Sequence, residues 1–341
     1  MDLALIGFGN VGQGFVALLN DKMDQLRDDY GLTPRIVAVV TRSRGTLVDP
    51  NGLDLPTLLK IGKAGTFAAY PDGPTLERDW DAARIAAESS ATVLIEAGPT
   101  DLQTAQPALS IVQTALDSGK HAVLVNKGPV ALAYADLQVR ADAAGVLLRF
   151  EGTVMAGTPT VRLGMQDLAG AKISAARGIL NGTTNYMLGL MEQGQSYADA
   201  LADAQAKGYA EPDPSGDVEG WDAAGKLLIL SAAVFGRTIT MNDIDVTGIT
   251  GLSGEQIYAA AAENKHYKLI ATVTPDSATV EPIGLPVSDP LASVSGATNA
   301  ITYVTDVLGD VTLIGAGAGP TETGYAILAD LLDIHRQVGG Q

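Results

Sequence analysis

The chain has 341 residues, 46% of them hydrophobic, with 39 glycines and no cysteine. That length fits two or three domains around a sizeable apolar core, and the lack of cysteine excludes disulfide scaffolds, thiolate metal centres and cysteine nucleophiles. A formal charge of −17 argues against a nucleic-acid partner, since phosphate binding needs a clustered positive surface, and points to a small-molecule substrate.

With only His121, His266 and His335, a histidine-based metal site is not expected either. No apolar run has the length a bilayer requires, and the first residues open a strand without the basic and apolar regions of a secretory leader. A cytoplasmic protein without membrane association is the expectation. The acidic excess is scattered through helix-like stretches, as at Asp21, Asp24, Asp28 and Asp29, which reads as a solvated surface.

In chain order, strand-like runs at 3–6, 36–40, 92–95, 122–125 and 146–150 alternate with amphipathic stretches. That is the pattern of an α/β fold with a Rossmann-type, doubly wound parallel sheet. Residues 1–150 therefore read as a dinucleotide-binding domain. From 151 to 311 a long helix at 217–235 and β-rich segments at 268–282 and 300–304 suggest a second, mixed α+β substrate domain. The last piece, 312–341, shows a glycine run and then a helix, expected to pack back on the first domain.

The opening Leu3-Ala4-Leu5-Ile6-Gly7-Phe8-Gly9-Asn10-Val11-Gly12 is a strand, a G-x-G-x-x-G turn and a helix start. Glycine is needed at the tight turn, where backbone approaches a pyrophosphate, and where helix meets strand, while the helix N-terminus offers unpaired N–H groups. Gly7, Phe8, Gly9, Asn10, Val11 and Gly12 are thus candidate cofactor contacts. After the second strand, where NAD-binding folds place an acidic residue, the chain has Thr41-Arg42-Ser43-Arg44. Either Arg42 and Arg44 receive a 2′-phosphate, favouring NADP over NAD, or they are ordinary loop charges. Lys127 follows the fourth of these strands, at the carboxyl edge where open sheets bind ligands, and is expected to face the cofactor.

The stretch from Gly208 to Leu230 starts as an acidic, proline-rich loop and enters a helix that is almost wholly apolar from Trp221 onward except for Asp222 and Lys226. Four residues apart, these two share a helix face. An ion pair on a buried face is either structural or marks a site, and in the second case Lys226 exchanges a proton with a substrate oxygen during hydride transfer. The segments 152–159 and 180–186, dense in small polar residues, are either loop structure or substrate hydrogen bonding.

GFGNVGQG, NKGP, EGTVMAGTP, ILNGTTNYM and GYAEPDPSGDVEGWDAAGKLLIL together resemble homoserine dehydrogenase along the whole chain, in its short form without an aspartokinase region or an ACT regulatory domain. The resemblance implies reversible oxidation of L-homoserine to L-aspartate 4-semialdehyde with NADP or NAD, on the way to threonine, methionine and isoleucine, without feedback control through an appended domain. It implies that Lys226 donates and accepts the proton, that Glu211 and Asp222, with Tyr209 and Thr183, bind or order the substrate, and that Lys127 lies between cofactor and substrate. Gly98, Gly208 and Gly319 become further cofactor contacts. A monovalent cation, sodium or potassium, is implied at the carbonyls of Glu151, Val154, Ala156 and Thr158, and a homodimer formed through the second domain. The Glu96–Thr100 turn departs from the family's threonine-rich version. Two other readings exist: a related amino-acid dehydrogenase such as an aspartate dehydrogenase, which leaves the Glu211, Asp222 and Lys226 set unexplained, and a non-catalytic dinucleotide-binding redox sensor, which has no need of a lysine in an apolar helix.

Overall fold

In a computed structural model of the protein, which describes residues 1–339, the apolar run at the start of the chain becomes strand β1 (Asp2–Ile6), with Leu3, Ala4 and Leu5 wholly buried. Burial on both faces is what a central parallel strand requires, and it explains a continuous apolar run in place of an alternating one. The chain continues through α1 (Asn10–Tyr30), β2 (Arg35–Thr41), β3 (Gly45–Val48), α2 (Leu55–Lys63), α3 (Ala82–Glu88) and β4 (Val93–Glu96), then α4 (Ala108–Asp117), β5 (His121–Leu124), α5 (Lys127–Ala144) and β6 (Leu148–Arg149). The strand order is β3-β2-β1-β4-β5-β6. β1 is parallel to β2 on one side and β4 on the other, with Ile6 opposite both Val40 and Glu96. The chain reverses direction across the sheet between β1 and β4, so their carboxyl ends form the switch point at which such sheets bind ligands. β3, antiparallel to β2, was not expected. The Thr41–Arg44 run that reads as a loop is the reversal of a short hairpin.

The second unit runs through α6 (Thr160–Arg162), β7 (Ile173–Ile179), α7 (Gly182–Glu192), α8 (Tyr197–Ala206), α9 (Ser215–Val218) and α10 (Trp221–Phe235), then β8 (Asp245–Val246), α11 (Gly254–Ala262), β9 (Lys265–Val273), β10 (Ala278–Pro286), β11 (Thr298–Thr305) and β12 (Gly309–Ala316). Its sheet has the order β12-β11-β7-β9-β10-β8, antiparallel except for β8 against β10. Two expectations are corrected here. The helix expected over 217–235 is two helices, because Gly220 sits at φ 93°, a left-handed conformation that no helix interior accommodates. Residues 312–316, expected to open the returning segment, instead complete β12, which pairs with β11 over its whole length.

From Gly319 the chain rejoins the first unit, and α12 (Pro320–Gly339) packs on α1. Ile327, Leu328, Leu331 and Ile334 share one apolar core with Phe15, Val16 and Leu19. The two compact units are Met1–Gly157 with the chain from Gly319 onward, and Thr158–Ala318, so the divisions fall a few residues later than the sequence pattern placed them. No helix among the described residues is long and apolar enough to cross a membrane.

Candidate active site

Two sets of groups carry chemistry, one in each unit. In the first, Gly7 follows β1 at φ 99°, and a Cβ there would lie 2.5 Å from the Ala97 carbonyl oxygen. A Cβ at Gly12 would meet the Gly7 carbonyl at 2.8 Å. Gly7 and Gly12 are thus required by backbone approaching backbone, while Gly9 has open space beside it, which leaves a cradle at the crest of the sheet. Helix α1 starts from Gly9 with no side-chain cap and no acidic residue in its first turn, so its leading amides and the positive end of its dipole remain for an anion. Phe8 turns inward, 1% exposed, and packs on Phe67 with ring centroids 5.6 Å apart. Asn10 and Val11 form the first turn of α1. A pyrophosphate fits this cradle.

Arg42 is exposed in the β2–β3 turn, and Arg44 is half-buried, its Nε donating to the Gly62 carbonyl at 3.2 Å and its amide to Thr41 Oγ1 at 2.8 Å. Lys127 is the first residue of α5, just past the N-cap Asn126, whose Oδ1 accepts from Gly128 at 3.0 Å. The Gly98 amide donates to Glu96 Oε1 at 3.0 Å. Glu96 is buried at the end of β4, its other oxygen has no partner, and burial pushes its carboxyl up to about 7. Gly319, at φ 133°, opens the turn into α12.

The 151–158 segment contains two consecutive buried residues, Met155 and Ala156, at φ 58° and 49°. Left-handed backbone at non-glycine residues is kept only where the surroundings fix it, and it commonly marks functional loops. The Glu151 carbonyl accepts from the Val154 amide at 3.4 Å, while that of Thr158 accepts from the Thr160 amide at 2.7 Å and its hydroxyl at 3.1 Å. No cluster of three or more His, Asp or Glu side chains suited to a metal occurs among the described residues.

In the second unit, Lys226 on α10 is 7% exposed. Its Nζ donates to the Leu180 carbonyl at 2.5 Å and to Asp222 Oδ2 at 2.8 Å, so one ammonium proton is left for another acceptor. Asn181, the N-cap of α7, is the hub. Its Oδ1 accepts from the Thr184 amide at 2.9 Å, and its Nδ2 donates to Asp217 Oδ1 at 2.6 Å and to Asp222 Oδ2 at 3.0 Å. Burial, with the Asp222 charge near it, holds the Asp217 carboxyl above its ordinary value against that hydrogen bond. The break at Gly220 puts Asp217 on α9 and Asp222 on α10, so both carboxylates reach the same amide.

Around this hub, Thr183 Oγ1 donates to the Tyr209 carbonyl at 2.7 Å. The Tyr209 ring is 45% exposed and lies edge-on to Tyr186 with centroids 5.0 Å apart. Gly208, at φ 75°, ends the turn after α8 with open space beside it. Glu211 is exposed, held only through its carbonyl, which accepts from Gln205 Nε2 at 3.1 Å. The structure thus brings Lys226, Asp222 and Thr183 into one cluster and leaves the Glu211 carboxylate outside it. It adds Asn181 and Asp217, which the sequence did not single out. The signal that could have found them is the N-cap pattern of Asn181 ahead of α7 and a second carboxylate five residues before Asp222.

The model of the homoserine dehydrogenase family matches residues 159–332. A curated NAD(+)-dependent homoserine dehydrogenase from Pseudomonas canavaninivorans is 40% identical over 98% of this chain and 96% of its own length. A homoserine dehydrogenase from Methanocaldococcus jannaschii is 37% identical over 98% of both chains. A solved hyperthermophilic archaeal homoserine dehydrogenase in complex with NADPH superposes with a TM-score of 0.84 at 26% identity, covering 98% of each chain. Full-length kinship of this order, joined to a dinucleotide cradle and a buried lysine–carboxylate cluster, shows that the chain belongs to the homoserine dehydrogenase family.

Proposed function

We propose that the chain oxidises L-homoserine reversibly to L-aspartate 4-semialdehyde, with Lys226 as the proton-transfer group. The observation that carries this reading is the Lys226 ammonium held by Leu180 and Asp222 with a proton to spare. When bound, the nicotinamide supplies the hydride acceptor, or the donor in reverse. In the reducing direction Lys226 Nζ–H gives its proton to the aldehyde oxygen, and in the oxidising direction the neutral amine takes the hydroxyl proton. Asp222, paired with Lys226, holds the amine in place. Asp217 and Asp222, joined by Asn181, form an acidic face suited to the substrate's α-ammonium, with the exposed Glu211 beyond it.

The first unit is the dinucleotide domain. Gly7 to Gly12 receive the pyrophosphate, with Gly98, Lys127, Gly208 and Gly319 as further cofactor contacts. Arg42 and Arg44 favour NADP, because two guanidinium groups in one turn suit a 2′-phosphate. The carbonyls of Glu151, Val154, Ala156 and Thr158 take a sodium or potassium ion, which the left-handed backbone at 155–156 supports and the two hydrogen bonds already made to Thr158 oppose. The second unit carries catalysis and pairs two copies. In support, β12 ends its sheet with an unpaired edge, Ile314 on it is 51% exposed, and Val307 and Leu308 at its turn are 70% and 64% exposed. A cytoplasmic enzyme working as a homodimer is the resulting picture.

The test is a spectrophotometric assay of L-homoserine oxidation with NADP and NAD in parallel, on the wild type and K226A. Activity in the wild type and a loss of about 10²–10⁴-fold in K226A, with dinucleotide affinity retained, is the expected result. Turnover surviving in K226A overturns the role given to Lys226, and a higher kcat/KM with NAD overturns the reading of Arg42 and Arg44.

A further inference from the structure

Glu96 is the one buried carboxyl of the first unit that ends a strand at the switch point, opposite Ile6 in the β1–β4 register and one residue before the backbone that closes on Gly7. It is 2% exposed. Oε1 accepts the Gly98 amide at 3.0 Å, close enough that a Cβ on Gly98 would lie 2.6 Å from it. Oε2 is buried with no hydrogen-bond partner. A buried carboxyl oxygen without a partner costs free energy and is rarely tolerated without a use. The loop it holds, 97–101, carries the Ala97 carbonyl against Gly7 and the Pro99 carbonyl, which accepts from Asn126 Nδ2 at 3.1 Å. The carboxyl therefore holds, through the Gly98 amide, the loop that meets both the Gly7 turn and the Asn126 cap.

We propose that Glu96 is a positioning residue for the dinucleotide: its Oε1 holds the 97–101 loop against the Gly7 turn, and its Oε2 is reserved for a polar group arriving with the dinucleotide, directly or through a water. This rests on the dinucleotide reading of the cradle. The carboxyl does this work neutral, as an O–H donor, because an ionised carboxylate beside a pyrophosphate is repelled. Burial sets that state, raising the group to about 7, with the Gly98 amide and the nearby Asn126 side chain, whose Nδ2 is within hydrogen-bond distance only of the Pro99 carbonyl, pulling the other way. The surrounding elements add little charge. β1 ends at Ile6 and leads into Gly7, and the 97–101 loop has only Asp101, whose carboxylate accepts from the Gln103 and Thr104 amides. The β5–α5 junction contributes Asn126 and then the cation of Lys127.

The experiment is a fluorescence titration of the full-length protein with NADH and NADPH between pH 6 and 8.5, on the wild type, E96Q and E96A. The wild type is expected to bind several-fold more weakly at pH 8.5 than at pH 6. E96Q, neutral throughout and still offering an oxygen to Gly98 and a donor in place of Oε2, is expected to bind as the wild type does at pH 6 and to lose that pH dependence. Titration of the cofactor's own phosphate is common to both proteins and cancels in the comparison. E96A, which releases the loop, is expected to bind at least fivefold more weakly at every pH. Parallel wild-type and E96Q profiles, or unchanged binding in E96A, overturn the proposal while leaving the dinucleotide reading intact. A folded wild type that binds neither dinucleotide overturns both.

Discussion

In the proposed role Lys226 keeps its two protein partners and also reaches a substrate oxygen, and arginine separates those duties. A guanidinium at 226 keeps a charge for Asp222 but cannot deprotonate at accessible pH. K226R is therefore expected to retain most of the melting temperature and to lose turnover by about 10²-fold or more. A variant that is as active as the wild type assigns Lys226 to the ion pair alone. Asp217 gives a pH test. Its carboxyl lies above its ordinary value, so the charge proposed to face a substrate ammonium is lost at a higher pH than for a solvated aspartate. In the wild type kcat/KM should fall on the acid side as Asp217 protonates. In D217N that limb should vanish, with KM for homoserine raised about tenfold or more, since a hydrogen bond to a charged group contributes roughly 1.5–3 kcal/mol. An unchanged acid limb in D217N removes Asp217 from substrate binding. Glu96 carries the opposite stability sign from a salt-bridged carboxylate. Its folded value of about 7 exceeds the ordinary 4.5, so the native state holds the extra proton and stability declines as pH rises from about 4.5 to about 7, by roughly 3 kcal/mol in all. Denaturant midpoints of E96Q relative to wild type should therefore rise across that window, and a flat difference contradicts it.

Gly220 is where local backbone chemistry builds the acidic face. At φ 93°, it ends α9 and starts α10, and a Cβ there would lie 3.1 Å from both Val246 and Val280 side chains. G220A forces an L-residue into left-handed backbone, at about 1–2 kcal/mol, and crowds those valines. It should lower stability by that amount or more, seen by chemical denaturation. It should also raise KM for homoserine by swinging Asp217 away from Asn181. A fall in stability with kinetics untouched makes the break purely structural. The same glycine shows where the sequence was hard to read. A single glycine in an apolar, helix-period stretch is ambiguous between a tolerated interior residue and a break, so 217–235 reads as one helix. β12 was hidden for a related reason, its glycines and exposed face giving no alternation. β3 is four residues long and follows a turn rich in polar side chains. By contrast β1, α1 and the fingerprint turn were legible because burial on both faces and backbone contact each leave a residue-type signature. The lysine–aspartate pair on α10 was legible as charge within an apolar run. Asn181 and Asp217 were not, because their role arises only when segments 36 residues apart in the chain meet.

Across the whole chain the charge of −17 sets the response to salt. Like charges crowded on a compact surface repel, and the repulsion is screened as the Debye length falls from about 30 Å at 0.01 M to about 8 Å at 0.15 M. Melting temperature should therefore rise with ionic strength in choline chloride, whose cation is too large for a cage of carbonyl oxygens. Replacing choline by sodium or potassium at equal ionic strength leaves screening unchanged and adds only what a bound ion contributes. Mass action makes that contribution grow with ion concentration, reaching about 2.7 kcal/mol at one hundred times the dissociation constant. A further rise in melting temperature with sodium or potassium, saturating with concentration, is the outcome expected if the 151–158 carbonyls hold an ion. Coincident curves for all three salts remove the cation from this enzyme and leave the left-handed pair Met155 and Ala156 as a feature of the loop's own packing.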